Sequence, residues 1–352
     1  MNSRERFLAA LRGEPTDRTP VAHVAALTTV ELQQSTGCTM PAVHHDPEAL
    51  VRLCWANHEV LGLDAVTFNI TYFGEPAALG SKMDWGSIDT YPTYGPPIWR
   101  EAGDATIPDD LLYREPIRTY LAATRLAQQR YGDQVAILAK IMGPLSMVQA
   151  LHGVDATMMD MIERPDRVHA MLDVAVEILA RCAAAEVEAG ADAVAIGEGG
   201  AGGNMLSPAM HRAFLSDAHQ RLVAQIPAPT IMHICGNMTP RVDALIDSGI
   251  TCFNFDWAVD PATMKEKAGG AFTLMGNINT TDLLLGTPHE IRQQVLGCVD
   301  AGIDIISPGC AISPRCPNIN LQTMVMVAKD TSIATTFSAD SPGQEPTHSL
   351  EE

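Results

Sequence analysis

The chain has 352 residues, of which 46% are hydrophobic, and its 42 acidic against 23 basic side chains give a formal charge of −19. This composition is typical of a folded globular protein with a sizeable core and excludes an intrinsically disordered one. The acidic excess argues against nucleic acid or an anionic membrane as the main partner, because both are bound largely through lysine and arginine.

The N-terminal segment, residues 1–20, is charged and amphipathic, and no apolar core with a small-residue cleavage site follows it. No stretch of the sequence reaches the roughly 18 uninterrupted apolar residues of a membrane span. We therefore expect a cytoplasmic protein. The eight cysteines are scattered along the chain, so we expect buried thiols, metal ligands or nucleophiles in preference to disulfides.

Short runs rich in Val, Ile or Phe recur along the chain and predict about eight buried strands. In chain order they are "RTPVAHV", "LDAVTFN", "QVAILAKIMGP", "ADAVAIGEGG", "APTIMHICGN", "ITCFNFD", "FTLMGNIN" and "IDIISPGC". Amphipathic helices lie between most of them, and four of the runs follow a glycine that ends a helix. Eight strand and helix units in about 310 residues predict one α/β domain, a closed parallel (β/α)8 TIM barrel. An open doubly wound sheet is the alternative, but no G-x-G-x-x-G follows the first strand to support a dinucleotide site.

Two segments depart from this alternation. Residues 73–100, between the second and third predicted strands, are rich in Gly, Pro and aromatic side chains and predict an irregular or hairpin insertion over the barrel mouth. From Thr335 the apolar periodicity is lost, so we expect a disordered tail over 335–352. The catalytic barrel domain would then be 1–334.

Polar side chains at the strand ends are the candidates for chemistry, because the active sites of such barrels lie there. His233 and Cys235 close the fifth strand, and their spacing puts both on one face. Cys310 follows the eighth strand in a Pro/Gly-rich turn, and Cys316 is a rival to it. Two thiolates and one imidazole could form a zinc site with an open fourth position, whereas an ordinary buried strand with two polar side chains is the alternative.

The fourth strand ends at Glu198 in a glycine-rich loop. Glu198 could be a fourth zinc ligand or a general base, or it could cap the following helix. Gly199 and Gly200 allow the backbone to approach a flat or bulky group, which predicts a cofactor contact.

The sixth and seventh strands carry weaker candidates. Asn277 and Asn279, at the end of the seventh, could donate hydrogen bonds to a bound cofactor or only to the backbone. Asp256, after the sixth, is a candidate of the same sort.

Five segments resemble the uroporphyrinogen decarboxylase superfamily, and more narrowly its corrinoid-dependent methyltransferase branch. They occur in the family's order over nearly the whole chain: "MNSRERFLAALRGEPTDRTPV", "GADAVAIGEGGAGGNMLSP", "HICGNMTPRVDALIDSGI", "LMGNINTTDLLLGTPHEI" and "GIDIISPGCAISPRCPNINLQTMV". The resemblance implies the barrel fold and a zinc ion held by His-x-Cys and a distant Cys in a Pro-Gly-Cys turn. Those positions are His233, Cys235 and Cys310. The resemblance therefore favours Cys310 over Cys316 as the third ligand.

The same resemblance implies methyl transfer between the cobalt of a corrinoid, carried on a separate small protein, and a small substrate. A zinc-bound thiol acceptor is the expected substrate. A donor-side enzyme that demethylates a methyl ether or thioether onto Co(I) uses the same ligands and is the first alternative. The barrel rim, the Glu198 loop and the 73–100 insertion would form the docking face for the corrinoid protein.

The decarboxylase of this superfamily is disfavoured on charge. It holds a substrate with eight carboxylates through arginines, chiefly in an Arg-Gln-Ala-Gly-Arg stretch after the first strand. The corresponding residues 21–34 contain neither Lys nor Arg, and no basic residue lies between Arg18 and Arg52. A decarboxylase or lyase of a small acid and a non-catalytic corrinoid-binding protein stay as further alternatives.

Overall fold

A computed structural model of the chain describes residues 1–337, and it consists of a ring of parallel strands enclosed by helices. The strands are β1 (Ala65–Thr67), β2 (Met83–Asp84), β3 (Thr93–Tyr94), β4 (Ala136–Met142), β5 (Ala193–Gly197), β6 (Thr230–Ile234), β7 (Cys252–Phe255), β8 (Thr273–Ile278) and β9 (Ile305–Pro308). The helices are α1 (Ser3–Leu11), α2 (Val30–Thr36), α3 (Pro47–Glu59), α4 (Gly74–Ala78), α5 (Ile117–Tyr131), α6 (Pro144–His152), α7 (Val154–Glu163), α8 (Pro165–Ala189), α9 (Pro208–Gln225), α10 (Val242–Asp247), α11 (Pro261–Ala268), α12 (Thr280–Leu285), α13 (Pro288–Asp300) and α14 (Asn318–Phe337).

Helix α14 includes the first residues of the predicted tail, and 338–352 lie outside the described residues. Among the helices of residues 1–337, none combines the length and the apolar character needed to cross a bilayer.

Seven strands form one parallel sheet in the order β1-β4-β5-β6-β7-β8-β9. The first predicted strand is much shorter than expected: it consists of one bridge between Val21 and Ile306. That segment nevertheless bonds on both sides: Ala22 N donates to Ile306 O at 3.1 Å, and Asp64 N donates to Val21 O at 2.7 Å. It therefore joins β9 to the start of β1, and the predicted barrel is confirmed over the doubly wound alternative.

Small and branched side chains fill the barrel at its N-terminal end. Ala65, Ala136, Ala193 and Ile305 come from the first residues of their strands and form one buried cluster. Phe7 of α1 belongs to the same cluster and is fully buried. This end of the barrel is therefore a packed core, and polar chemistry is left to the opposite end.

The predicted insertion contains α4 and a small hairpin in which β2 and β3 pair antiparallel. The hairpin is fastened to the barrel at two points. Tyr91 accepts a hydrogen bond at its hydroxyl from Thr28 N at 3.0 Å, and Arg315 pairs with Asp89. The hairpin thereby lies beside the C-terminal end of the barrel.

Asp64, just before β1, is fully buried at the point where the barrel closes, and it is the common partner of the charged side chains there. Its carboxylate accepts from Arg6 Nη1 at 2.9 Å, from Arg18 Nη1 and Nη2 at 2.8 Å each, and from Val21 N at 2.9 Å. A buried carboxylate with four such donors holds two arginines and the rudimentary first strand in place.

We expect Asp64→Asn to lower the free energy of unfolding by about 3 kcal/mol, since two largely buried guanidinium groups lose their anionic partner. Chemical denaturation followed by circular dichroism measures the change. Asp110→Asn is the matched control: its ion pair with Arg114 is exposed, so a loss below about 0.5 kcal/mol is expected. Equal losses in the two variants would contradict the role assigned to Asp64.

Two buried carboxyls lie near each other outside the barrel wall, Glu75 on α4 and Glu186 on α8. Burial raises the pKa of Glu75 to about 8, and the nearby Glu186 adds to the rise. Burial also raises the pKa of Glu186 to about 7, against a hydrogen bond from Thr124. Both groups are therefore held in a site that favours the neutral acid.

We expect Glu75→Gln to flatten the loss of stability that the protein shows as pH rises. Between the ordinary pKa of 4.5 and about 8 only the unfolded state releases this proton, so stability falls by up to roughly 1.4 kcal/mol per pH unit. Melting temperatures at pH 5 and pH 8 test this: the variant should gain over the wild type at the higher pH. Glu59→Gln, on the exposed end of α3, should leave the pH dependence unchanged.

Candidate metal centre

Two strand ends supply the side chains of the centre. His233 lies on β6, Cys235 directly follows that strand, and Cys310 follows β9. Gly236 has φ 77°, a left-handed conformation that glycine favours, and it turns the chain away after Cys235. At Gly309 a Cβ would come within 2.7 Å of Trp257 N, so only glycine allows the chain to pass there on its way to Cys310.

The three side chains converge. Cys235 Sγ lies 3.4 Å from His233 Nε2 and 3.3 Å from Cys310 Sγ. All three potential ligand atoms are within 4.8 Å of one another. His233 is buried, and the two cysteines are partly exposed. A group of this size and composition could hold one metal ion and still be reached from outside.

The orientation of the His233 ring suits a metal ligand. Its Nδ1 lies 3.3 Å from Asn254 O, and a proton on Nδ1 donated to that carbonyl leaves the Nε2 lone pair facing the two sulfurs. Asn254 is itself fully buried and donates from Nδ2 to Met275 O at 3.1 Å. The backbone of β7 therefore fixes the ring, as carbonyl partners of metal-binding histidines generally do.

The two thiols differ in acidity. The contact with Cys235, and then the contact with His233, lower the pKa of Cys310. The same contact with Cys310, and then burial, raise the pKa of Cys235. Two thiolates in this place require a further positive charge, which a divalent metal ion supplies.

The rival cysteine lies elsewhere. Cys316 is buried and its Sγ donates to Leu283 O at 3.1 Å. Within residues 1–337, the cluster comprises His233, Cys235 and Cys310 without Cys316. Of the two candidates left open from the residues alone, the structure brings Cys310 to the site.

Glu198 takes a different position from those considered. Its fully buried carboxylate accepts from Leu145 N at 3.2 Å and from Ser146 N and Oγ at 2.7 Å each, at the N-terminus of α6. His219 Nε2 lies 3.0 Å from Oε2 of the same carboxylate, the oxygen that also accepts from Leu145 N. The capped helix is thus α6, which follows β4, and not the following helix α9, whose cap is Ser207. The structure does not bring Glu198 to the metal cluster.

The asparagines also lie away from the cluster. Asn277 donates to Asp256 O at 3.1 Å and to Val259 O at 2.6 Å, which are backbone partners. Asn279 is the N-cap of α12 and accepts from Thr281 N at 2.8 Å. Asp256 accepts from Ala258 N at 2.8 Å. Of the two alternatives for Asn277, the structure shows hydrogen bonds to the backbone, because its side chain is turned toward the loop after β7.

A cavity of about 490 Å³ opens above the cluster and is lined by His233, Cys235 and Cys310 together. Gly199 and Gly200, the predicted cofactor contacts, border it. At Gly200 a Cβ would meet Gln149 Oε1 at 2.4 Å and Ser146 Cα at 3.1 Å, so a larger residue there would require the Gln149 side chain to move. Tyr91 and Tyr94 of the hairpin form part of the wall.

Two residues of this region were missed by the sequence analysis. Tyr72 lines the cavity and donates to Val24 O at 2.5 Å. Lys140 lies with its Nζ 5.3 Å from the centre of the Tyr72 ring and donates to Ala25 O at 2.6 Å. Burial lowers the pKa of Lys140 to about 7. The sequence does mark Lys140, because it is the single charged residue in the apolar run "VAILAKIM".

A parallel barrel with two cysteines and a histidine at its strand ends defines a class of candidate metalloenzyme. Residues 2–331 match the family model described as uroporphyrinogen decarboxylase (URO-D). The chain belongs to that family.

Within the family, three relatives are similar over nearly their full length. The chain is 32% identical to methylcobamide:CoM methyltransferase MtaA of Methanosarcina barkeri, over 91% of the chain and 95% of the relative. It is 29% identical to methylated-thiol–coenzyme M methyltransferase of Methanosarcina mazei, over 95% and 90%. A solved methyltransferase structure from Methanosarcina mazei superposes with a TM-score of 0.91 at 31% identity, covering 94% of the chain and 99% of that structure.

We expect Glu198→Gln to lower the free energy of unfolding by about 2 kcal/mol, because the amide turns a donor toward groups that already donate to the carboxylate. Thermal and chemical denaturation measure this loss. Glu188→Gln, on the exposed face of α8, is the matched control and should be nearly neutral. An unchanged stability of Glu198→Gln would refute the helix-capping role.

Proposed function

We propose that the protein is a zinc-dependent methyltransferase that moves a methyl group between the cobalt of a corrinoid protein and a small substrate, with a zinc-bound thiol as the acceptor. The observation that carries the proposal is the convergence of His233, Cys235 and Cys310 within 4.8 Å at the floor of a large cavity. The names of the relatives support the methyl transfer and the corrinoid.

The donor set fits zinc, since two sulfurs and one imidazole nitrogen are ligands that zinc accepts readily, and three protein ligands leave a position for substrate. When bound there, zinc would lower the pKa of a coordinated substrate thiol enough for it to be present as the thiolate. The proton would leave to solvent. The substrate sulfur would then form the bond to the methyl carbon, and the electron pair of the broken carbon–cobalt bond would stay on cobalt.

The side chains of this protein supply charge and position. The negative charges of Cys235 and Cys310 would offset the charge of a bound metal, so a substrate sulfur on that metal would keep its nucleophilic character. His233 is held in place by Asn254 O. Glu198 acts as a positioning residue, because it ties the N-terminus of α6 to the loop that carries Gly199 and Gly200.

The corrinoid protein would approach the rim of the cavity. The hairpin and the Gly199–Gly200 loop border the opening on different elements of the chain, and both were expected at the docking face. Small residues in the loop leave the room that a flat macrocycle requires.

Donor-side transfer is a second candidate, favoured by one observation. A relative that aligns with 95% of the chain is named for a methylated thiol as well as for coenzyme M. In that direction zinc would act on the sulfur or oxygen of the donor and ease departure of the methyl group to Co(I).

We expect the purified full chain to contain about one zinc per molecule, and Cys235→Ser and Cys310→Ser to lose most of it. Elemental mass spectrometry after purification without chelators measures the content. Cys316→Ser is the matched control, because it removes a buried thiol that does not belong to the cluster, and it should keep its zinc. Glu198→Gln should also keep it, whereas a metal-free wild type or a zinc-replete Cys310→Ser would refute the assignment.

The same proteins test the transfer itself. With methylcobalamin as donor, the wild type and Cys316→Ser should methylate a thiol, and Cys310→Ser should be at least about a hundredfold slower. Methylation of cob(I)alamin by a methyl ether or thioether, without the thiol reaction, would favour the donor-side direction. Inactivity in both directions with zinc bound would contradict the proposed function.

A further inference from the structure

The cavity above the candidate ligands has largely apolar walls, which include four aromatic rings and two methionines. Tyr72, Phe73, Tyr91 and Tyr94 contribute rings. Met142 and Met205 add flexible thioether groups, which pack well against rings of varied shape. With about 490 Å³ of space, the cavity has the size of a typical site for a small organic molecule.

Polar groups in the lining are largely bonded within the protein. The Tyr72 hydroxyl donates to Val24 O at 2.5 Å, and the Ser146 hydroxyl donates to Glu198 Oε1 at 2.7 Å. Tyr91 exchanges hydrogen bonds with the backbone of Thr28. These contacts turn the hydroxyl groups of Tyr72, Ser146 and Tyr91 into the protein, so the rings of Tyr72 and Tyr91 remain as surface that a ligand meets.

The buried Lys140 amine near this wall is already hydrogen-bonded. Lys140 donates to Ala25 O at 2.6 Å and approaches Ile70 O at 3.4 Å, and its Nζ lies 5.3 Å from the Tyr72 ring centre. An anionic group placed among these walls would exchange its hydration for apolar surface, which costs free energy. An apolar group there would instead gain from leaving water.

We propose that the substrate is a thiol with an uncharged apolar or aromatic body. Its sulfur faces His233, Cys235 and Cys310, and its body lies between the tyrosines of the hairpin and Met205. This inference rests on the proposed function, because it takes the reaction to be methyl transfer. The preference for an apolar body is argued separately, from the lining of the cavity. The specificity would come from burial of the body, because the sulfur is common to all thiols.

Binding of three thiols to the zinc-loaded full chain tests the preference, measured by isothermal titration calorimetry. Ethanethiol has the sulfur without a body, phenylethanethiol adds the ring, and its para-carboxylate adds a charge at nearly the same shape. Phenylethanethiol should bind at least about tenfold tighter than ethanethiol. The para-carboxylate should bind at least about tenfold more weakly than phenylethanethiol.

An engineered cation should change this order. Met205 lines the cavity but is 42% exposed, so Met205→Arg can be accommodated without burial of the guanidinium. It should recover binding of the para-carboxylate by about fivefold or more and weaken that of phenylethanethiol. Met159→Arg, at a 58% exposed position on α7, is the matched control and should leave the wild-type order intact.

The outcomes separate the inference from the proposed function. Equal binding of ethanethiol and phenylethanethiol, or tighter binding of the para-carboxylate or of mercaptoethanesulfonate by the wild type, would overturn the inference even if methyl transfer proceeds. The expected order of binding with no methylation of any thiol by methylcobalamin would instead sustain the cavity preference and reject the acceptor-side reaction.

Discussion

Closure of the parallel sheet into a ring is the constraint on which the candidate metal centre depends. In the sheet order, β6 and β9 are separated by β7 and β8. In a flat sheet their ends would lie about 14 Å apart, yet the sulfurs of Cys235 and Cys310 are 3.3 Å apart. Curvature brings them together, and the bridge at Val21 with its anchor Asp64 maintains that curvature.

The sequence predicted the barrel and the three clustered residues for a common reason. Apolar runs mark buried strands, and the residues just past them must lie at one end of the ring, so His233, Cys235 and Cys310 could be placed without coordinates. The resemblance then supplied the choice of Cys310 over Cys316. Strand length was harder to predict. The run around Val21 has the composition of a strand, but it forms only a single bridge and a few backbone hydrogen bonds with its neighbours.

Side-chain direction was the part that sequence could not give. Position at a strand end does not say whether a carboxylate or amide turns into the cavity or toward a neighbouring loop. Glu198 turns to α6 because Leu145 and Ser146 present free helix N–H groups beside it, and these residues lie some fifty positions away in sequence. Asn277 likewise turns to carbonyl groups of the preceding connection. Such partners are set by packing between elements distant in the chain.

The hairpin of β2 and β3 has its own antiparallel ladder and is separate from the seven-stranded sheet. It gives Tyr91 and Tyr94 to the cavity wall, while the candidate ligands come from the barrel. Under the proposed function, part of the substrate-binding wall is therefore encoded in a stretch of the gene separate from the candidate ligands. Insertions and exchanges within 73–100 would change that part of the wall and leave the candidate ligands in place, which makes the hairpin a natural place for new specificities to evolve.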